Sequence, residues 1–194
     1  MAKVGRMRTF GKIVVIGAGV LALAACGEKQ NTAGSASTPA PAPSSSSAAG
    51  AASKGKECTA EDVKTTGKFG EAPTITIPDD CDPPKKLIVK DLEPGTGEGA
   101  KAGQQLKMNY SLVTWSNKQK LDSSFDRGEP FDLSLGAGDV IKGWDQGLEG
   151  IKQGARRLLI IPPDLGYGQG GRGIAPNETL VFVTDAVSVP TDKG

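Results

Sequence analysis

Amino-acid usage changes sharply along this chain, and the change confines any hydrophobic core to its C-terminal part. Between residues 27 and 56 the sequence consists largely of Ser, Ala, Gly, Pro and Thr. Such a segment cannot bury enough apolar surface to offset the entropy that is lost on ordering it. We therefore predict a disordered tether over residues 26–56, so that the folded part is much shorter than the full 194 residues.

The first 26 residues have the pattern of a bacterial export signal. Four basic residues precede an apolar run over residues 13–25, which is shorter than the roughly 20 residues that a membrane-spanning helix needs. The run ends in Leu23, Ala24, Ala25 and Cys26, which resembles the lipobox of bacterial lipoproteins. This resemblance implies a signal peptide over residues 1–25 and a lipid anchor on Cys26, holding the protein on the extracytoplasmic face of the cell membrane. The alternative is an ordinary secretory signal with a chance cysteine.

Two further cysteines, Cys58 and Cys81, lie in an N-terminal extension over residues 57–86. Outside the reducing cytoplasm a disulfide between them is the expected outcome. Redox catalysis is a poorer interpretation, because the chain contains no Cys-x-x-Cys motif.

Charge and composition argue against several classes of function. The formal net charge is +1, and removal of the four basic residues before Cys26, which no acidic residue accompanies, leaves −3. A chain with this balance and no basic stripe is not expected to bind nucleic acid. The chain contains no histidine, which excludes a histidine-based nucleophilic triad and argues against zinc, so we expect neither a metal nor a cofactor.

From residue 87 onward the sequence predicts short strands separated by glycine-rich turns. Leu106, Met108, Tyr110 and Leu112 alternate with polar residues, as in a half-buried strand. Further strands are predicted over residues 87–89, 131–135, 157–161 and 179–189, the last with Val181, Val183, Val187 and Val189 on one face. One short helix is predicted over residues 140–148, with Asp139 as its N-cap. These elements indicate an α+β domain in which the helix covers one face of an antiparallel sheet.

One set of residues in this region has a distinctive order and spacing: Leu121, Asp122, Ser123, Ser124, Arg127, Pro130, Phe131, Val140, Ile141, Lys142, Gly143, Trp144, Gly147, Leu148, Gly154, Ile161, Pro162, Tyr167, Gly168, Pro176, Thr179, Leu180, Val181 and Phe182. This order and spacing closely resemble those of FKBP-type peptidyl-prolyl isomerases. The resemblance implies an FKBP-like antiparallel β-sheet wrapped around one short α-helix over residues 87–190.

The same resemblance assigns a site. It places Tyr110, Phe131, Trp144, Tyr167 and Phe182 around a hollow, with Val140 and Ile141 at its edge. The backbone N–H of Ile141 and the hydroxyl of Tyr167 would donate hydrogen bonds to a substrate, and Asp122 would accept one at the rim. Leu121, Arg127 and Ile174 complete the expected substrate-binding set. Without the resemblance, inward-facing aromatic residues are core residues more often than site residues, and Asp122 could equally pair with Arg127 to hold its loop.

The resemblance further implies rotation of X–Pro bonds in proline-containing polypeptides, in support of folding of secreted or envelope proteins. Leu121 stands where the family commonly has Phe, which leaves open a non-catalytic proline-peptide-binding module or chaperone. A third hypothesis is that the protein is a purely structural envelope lipoprotein. Macrolide ligands such as rapamycin are a family expectation, which Leu121 should weaken, and we expect a monomer.

Overall fold

The computed structural model describes residues 53–191. The predicted signal peptide, the lipidation site Cys26 and all but residues 53–56 of the predicted tether therefore lie outside the described residues. Residues 53–56 are exposed, and the backbone N–H groups of Lys54 and Gly55 donate to the carboxylate of Asp82. Over residues 53–191 no helix has the length and apolar character needed to cross a membrane.

The central element is a six-stranded antiparallel sheet, which together with short helices confirms the predicted α+β class. Its strand order is β3, β9, β10, β5, β6, with β7 pairing to β5 beside β6. The strands are β1 (Lys64–Thr66), β2 (Thr74–Thr76), β3 (Ile88–Glu93), β4 (Thr96–Gly99), β5 (Gln105–Thr114), β6 (Lys120–Ser123), β7 (Phe131–Ser134), β8 (Lys152–Gln153), β9 (Arg156–Ile161) and β10 (Leu180–Ser188). The helices are α1 (Ser124–Arg127), α2 (Lys142–Gly147) and a 3-10 turn (Pro163–Leu165).

Helix α2 lies directly on the inner face of the sheet because two glycines face strand β9. A Cβ on Gly143 would stand 2.4 Å from Cγ2 of Ile161, and one on Gly147 would stand 2.8 Å from Cδ2 of Leu159. The alternating apolar residues predicted in β5 join the core on this inner face, as expected from the period-two pattern. The absence of side chains at these two glycines therefore allows Trp144 to pack against the sheet.

The predicted start of this helix was wrong by two residues. Ile141, with an extended backbone, is the N-cap in place of Asp139. The cause lies in Asp145, whose carboxylate accepts hydrogen bonds from the N–H groups of Gly136 (2.8 Å) and Gly138 (3.2 Å) and so holds the preceding residues as a loop. The one-turn helix α1 was not predicted.

The predicted face of Val189 was also wrong. Val181 and Val183 lie on the outer face of β10, whereas Val189 packs in the core on the helix side. A register shift between Ala186 and Ser188 explains the change, because one extra residue in a strand moves the following side chains to the opposite face.

The extension covers the outer face of the sheet. Cys58 and Cys81 form a disulfide. A second core cluster unites the extension with outward-facing residues of β5, β9 and β10: Cys58, Val63, Ile77, Cys81, Val113, Trp115, Leu158, Ile160, Val181 and Val183. Both faces of the central strands are therefore buried, which explains the consecutive apolar residues Leu158 to Ile161 in β9 and Leu180 to Val183 in β10.

A buried ion pair also joins the extension to the sheet. Arg156 and Asp185, both almost fully buried, pair through two hydrogen bonds of 2.6 and 2.8 Å. The N–H of Gly70 donates to Asp185 (2.7 Å), and Arg156 donates to the carbonyl of Glu71 (2.6 Å). The extension thus satisfies hydrogen-bonding groups that the sheet alone would leave without these partners.

We expect the double substitution Cys58→Ser, Cys81→Ser to lower the free energy of unfolding by about 3 kcal/mol, since the disulfide restricts the unfolded chain. For a domain of this size the melting temperature should fall by about 10 °C. Differential scanning calorimetry measures the change, and a reducing agent should lower the melting temperature of the wild type but not of the variant. Equal melting temperatures for the two proteins would contradict the stabilising role.

Candidate active site

An apolar cavity opens between helix α2 and the inner face of the sheet. It has a volume of about 120 Å³ and is lined by Tyr110, Leu112, Asp122, Phe131, Val140, Ile141, Trp144, Tyr167 and Phe182. An apolar cavity of about 150 Å³ in another protein accommodates benzene. The present cavity is therefore of a size suited to one small ring.

Trp144 forms the centre of the aromatic cluster. Its ring lies 5.3 Å from Tyr110 and 5.3 Å from Phe182, both nearly perpendicular to it, and 6.0 Å from Phe131. Edge-to-face contacts of this kind favour one fixed arrangement of the rings. Phe131 is 38% exposed at the rim, whereas Trp144 is 4% exposed. The cluster therefore presents an apolar floor with one partly exposed aromatic wall.

A polar network stands at one edge of the cavity. The hydroxyl of Tyr110 donates to Asp122 at 2.5 Å, and Arg127 donates both to Asp122 and, at 2.9 Å, to the Tyr110 oxygen. The Arg127 guanidinium also lies 5.5 Å from the centroid of the Tyr110 ring. Asp122 thus lines the cavity while paired with Arg127, so the two roles considered for it in the sequence are geometrically compatible.

The network changes the acidity of its members. Burial opposes ionisation of Asp122, but hydrogen bonds from Tyr110 and Arg127 outweigh it, so the pKa of the carboxyl lies below its usual value. Burial, followed by the hydrogen bond to Asp122, raises the pKa of Tyr110. Hydrogen bonds to Tyr110 and Asp122 raise the pKa of Arg127. The ionised carboxylate and the protonated phenol are therefore both favoured.

Two loops supply the remaining walls. Val140 and Ile141 follow the loop held by Asp145, and the carbonyl of Ile141 accepts the N–H of Trp144 at 2.9 Å. Tyr167 follows the 3-10 turn and is partly buried. The loop after it turns back where the backbones of Gly171 and Ile174 exchange two hydrogen bonds of 3.0 Å.

The structure brings together eight of the eleven predicted site residues around this cavity. Leu121, Arg127 and Ile174 do not line it. Leu121 is 42% exposed, Arg127 donates hydrogen bonds to Asp122 and Tyr110, and Ile174 packs in the core. Leu112 lines the cavity but was not predicted as a site residue. Its place on the same face of β5 as Tyr110 was a signal that could have identified it.

Comparison with known proteins decides the family. The chain is 48% identical to an FK506-binding protein of Streptomyces anulatus over 122 residues, which are 61% of this chain and 98% of that protein. The chain belongs to the FKBP-type peptidyl-prolyl cis-trans isomerase family. The family model of that description matches residues 97–186.

Other similar proteins support the same family assignment. An FK506-binding protein of Neisseria meningitidis serogroup B is 43% identical over 106 residues, covering 53% of this chain and 95% of that protein. The crystal structure of FkpA from Escherichia coli superposes with a TM-score of 0.50 at 39% identity, covering 53% of this chain and 47% of that one. The predicted FKBP-like fold is confirmed, and the protein is a peptidyl-prolyl cis-trans isomerase.

We expect the catalytic efficiency of this isomerase to be constant between about pH 5 and pH 9, because the chain has no histidine and hence no side chain of ordinary pKa near neutrality. The stability that the Asp122 network contributes should be complete above the pKa of an unfolded aspartate, about 4, and should be lost as the pH falls through the lower folded value. NMR exchange measures the catalytic efficiency against pH, and thermal unfolding measures the stability against pH. The Asp122→Asn variant should lose less stability than the wild type as the pH falls, because the titrating carboxyl is absent. A step in catalytic efficiency between pH 5 and pH 9 would contradict the predicted constant efficiency.

Proposed function

We propose that the cavity between α2 and β5 is the place where this isomerase binds and rotates X–Pro bonds, and that its substrates are secreted or envelope polypeptides. The observation that carries the proposal is the ring arrangement around Trp144, which leaves an open apolar space with polar groups confined largely to the rim. A proline ring is compact and apolar, so this space suits it.

The chemistry requires no nucleophile. Rotation about a peptide C–N bond meets a barrier of about 18–20 kcal/mol, because planarity is held by amide resonance. In the half-rotated state the resonance is lost and the charge separation of the amide falls. An apolar cavity therefore disfavours the planar amide relative to the twisted one, which lowers the barrier.

Two donors orient the chain around the proline. In the proposed complex the N–H of Ile141 and the hydroxyl of Tyr167 donate to carbonyl groups of the bound peptide. Ile141 is suited to this role because it begins α2 with an extended backbone, directly beside the floor residue Trp144. Each bond restricts the peptide on one side, so the energy of binding is used to hold the rotating amide in place.

The exposed position of Leu121 affects which ligands the cavity is expected to bind. Leu121 is 42% exposed and does not reach the cavity, so it offers little flat surface to a ring. We propose that macrolides such as rapamycin bind in the same cavity, and that Leu121 weakens this binding. A monomer is sufficient for this function, because one chain supplies every wall of the cavity.

We also propose that the protein is held at the outer face of a bacterial cell membrane by a lipid on Cys26. The sequence ahead of Cys26 supports this placement, and the Cys58–Cys81 disulfide is consistent with an oxidising compartment.

The site is tested by Phe131→Ala with Phe69→Ala as a matched control. Phe131 is 38% exposed at the rim and Phe69 is 36% exposed in the extension, so both variants should fold. Loss of the rim contact should lower the catalytic efficiency on a proline peptide about tenfold, equal to about 1.4 kcal/mol, while the control stays at the wild-type value. Equal efficiency for the two variants would place the active site elsewhere. Peptide binding without any acceleration of exchange in the wild type would instead select the non-catalytic binding module.

The anchor is tested by Cys26→Ser in the full chain expressed in a bacterium. We expect the wild type to sediment with membranes and to incorporate labelled palmitate, and the variant to do neither, because the thiol that carries the lipid is absent. Ser35→Ala is the control and should behave as the wild type. Labelling of the Cys26→Ser variant would refute lipidation at this residue.

A further inference from the structure

Glu178 is a buried carboxylate that lies outside the cavity. It is 5% exposed and directly precedes Thr179 and strand β10. Its two oxygens accept hydrogen bonds from one residue, Ser116: from the N–H at 2.9 Å and from the hydroxyl at 2.5 Å. Among residues 53–191 no lysine or arginine forms an ion pair with it. Burial of a charge without a cation is unfavourable, so these two hydrogen bonds must hold the carboxylate in place.

The two hydrogen bonds between Ser116 and Glu178 join two loops. Ser116 lies in the turn between β5 and β6, and Glu178 ends the loop that carries Tyr167 and Ile174. Beside it, the N–H of Trp115 donates to the carbonyl of Thr179 at 3.0 Å. The end of the loop is therefore attached to the turn by both a side chain and the backbone.

A further hydrogen bond joins the end of this loop to the residue that follows Tyr167. The N–H of Asn177, next to Glu178, donates to the carbonyl of Gly168 at 2.8 Å, and Gly168 directly follows Tyr167. Asn177 has a φ of +57°, in the left-handed region that is strained for most residues. Glu178 therefore lies next to the residue whose backbone closes the base of the loop.

The turn that contains Ser116 also contacts the extension. Lys118, two residues after Ser116, pairs with Asp79, and Lys54 donates to the carbonyl of Asp79 at 2.6 Å. The turn that contains Ser116 therefore contacts the extension through an exposed ion pair.

We propose that Glu178 is a positioning residue of the isomerase, which holds the loop of Tyr167 and Ile174 in its binding conformation by bonding to Ser116. The proposal rests on the proposed function, since Tyr167 must contact the substrate for its position to matter. A loosened loop has to be ordered each time a peptide binds, which weakens binding of the ground state and the transition state equally. The KM should then rise while kcat stays constant.

The test is the steady-state kinetics of Glu178→Ala in the otherwise intact chain, with the native fraction measured by circular dichroism at the assay temperature. We expect KM to rise about fivefold, as for loss of one hydrogen bond of ordinary net strength, with kcat per native molecule unchanged. Glu178→Gln should keep a KM near the wild-type value, because its amide can accept from the Ser116 N–H and donate to the hydroxyl. Glu149→Ala, an exposed glutamate on the surface, is the control for loss of a charge.

A double-mutant cycle with Tyr167→Phe separates this inference from the function on which it rests. Glu178→Ala should raise KM less in the Tyr167→Phe protein than in the wild type, because part of its effect passes through the tyrosine. An unchanged KM, or a loss of activity that only follows the native fraction, would overturn the positioning role, as would full additivity in the cycle. If Tyr167→Phe raises KM and Glu178→Ala does not, only the positioning role fails; if Tyr167→Phe has no effect, the cavity assignment fails with it.

Discussion

Close packing of helix α2 against strand β9 sets the position of Trp144, the floor of the cavity. Gly143 and Gly147 have no side chain to separate the helix from Ile161 and Leu159, so the helix lies flush on the sheet. Trp144, between the two glycines, is thereby pressed against the rings of Tyr110 and Phe182. The rings meet edge to face, and the cavity lies beside them.

The sheet that carries this helix is buried on both sides. Its inner face holds the cavity, and its outer face is covered by the disulfide-bonded extension. The family match begins at residue 97, so the extension lies outside the part that the family defines. It nevertheless supplies the core of the outer face, it binds the Arg156–Asp185 pair, and it supports the turn to which Glu178 is attached. The extension and the catalytic part are therefore parts of one folded unit in the described chain.

Period-two patterns predicted strands β5, β7 and β10, because alternation of side chains between two faces is a local property of a strand. The alternation from Leu106 to Leu112 places these residues correctly on the inner face. Prediction failed where a distant or irregular contact overrides the pattern. The carboxylate of Asp145 holds residues before Ile141 out of the helix, and the register shift near Ala186 turns Val189 inward. For the site, the resemblance selected eight residues that line the cavity, whereas Leu112 was overlooked and Leu121 lies outside it.

The amino-acid sequence by itself indicated the family and the aromatic residues that line the cavity, because these follow from residue types in a fixed order along the chain. Only the tertiary structure decided which distant residues meet. Ser116 and Glu178 are 62 positions apart, and Arg156 and Glu71 are 85 apart. Such contacts leave no local pattern, since they depend on how the sheet brings separate loops together and on which buried groups need a hydrogen-bond partner there.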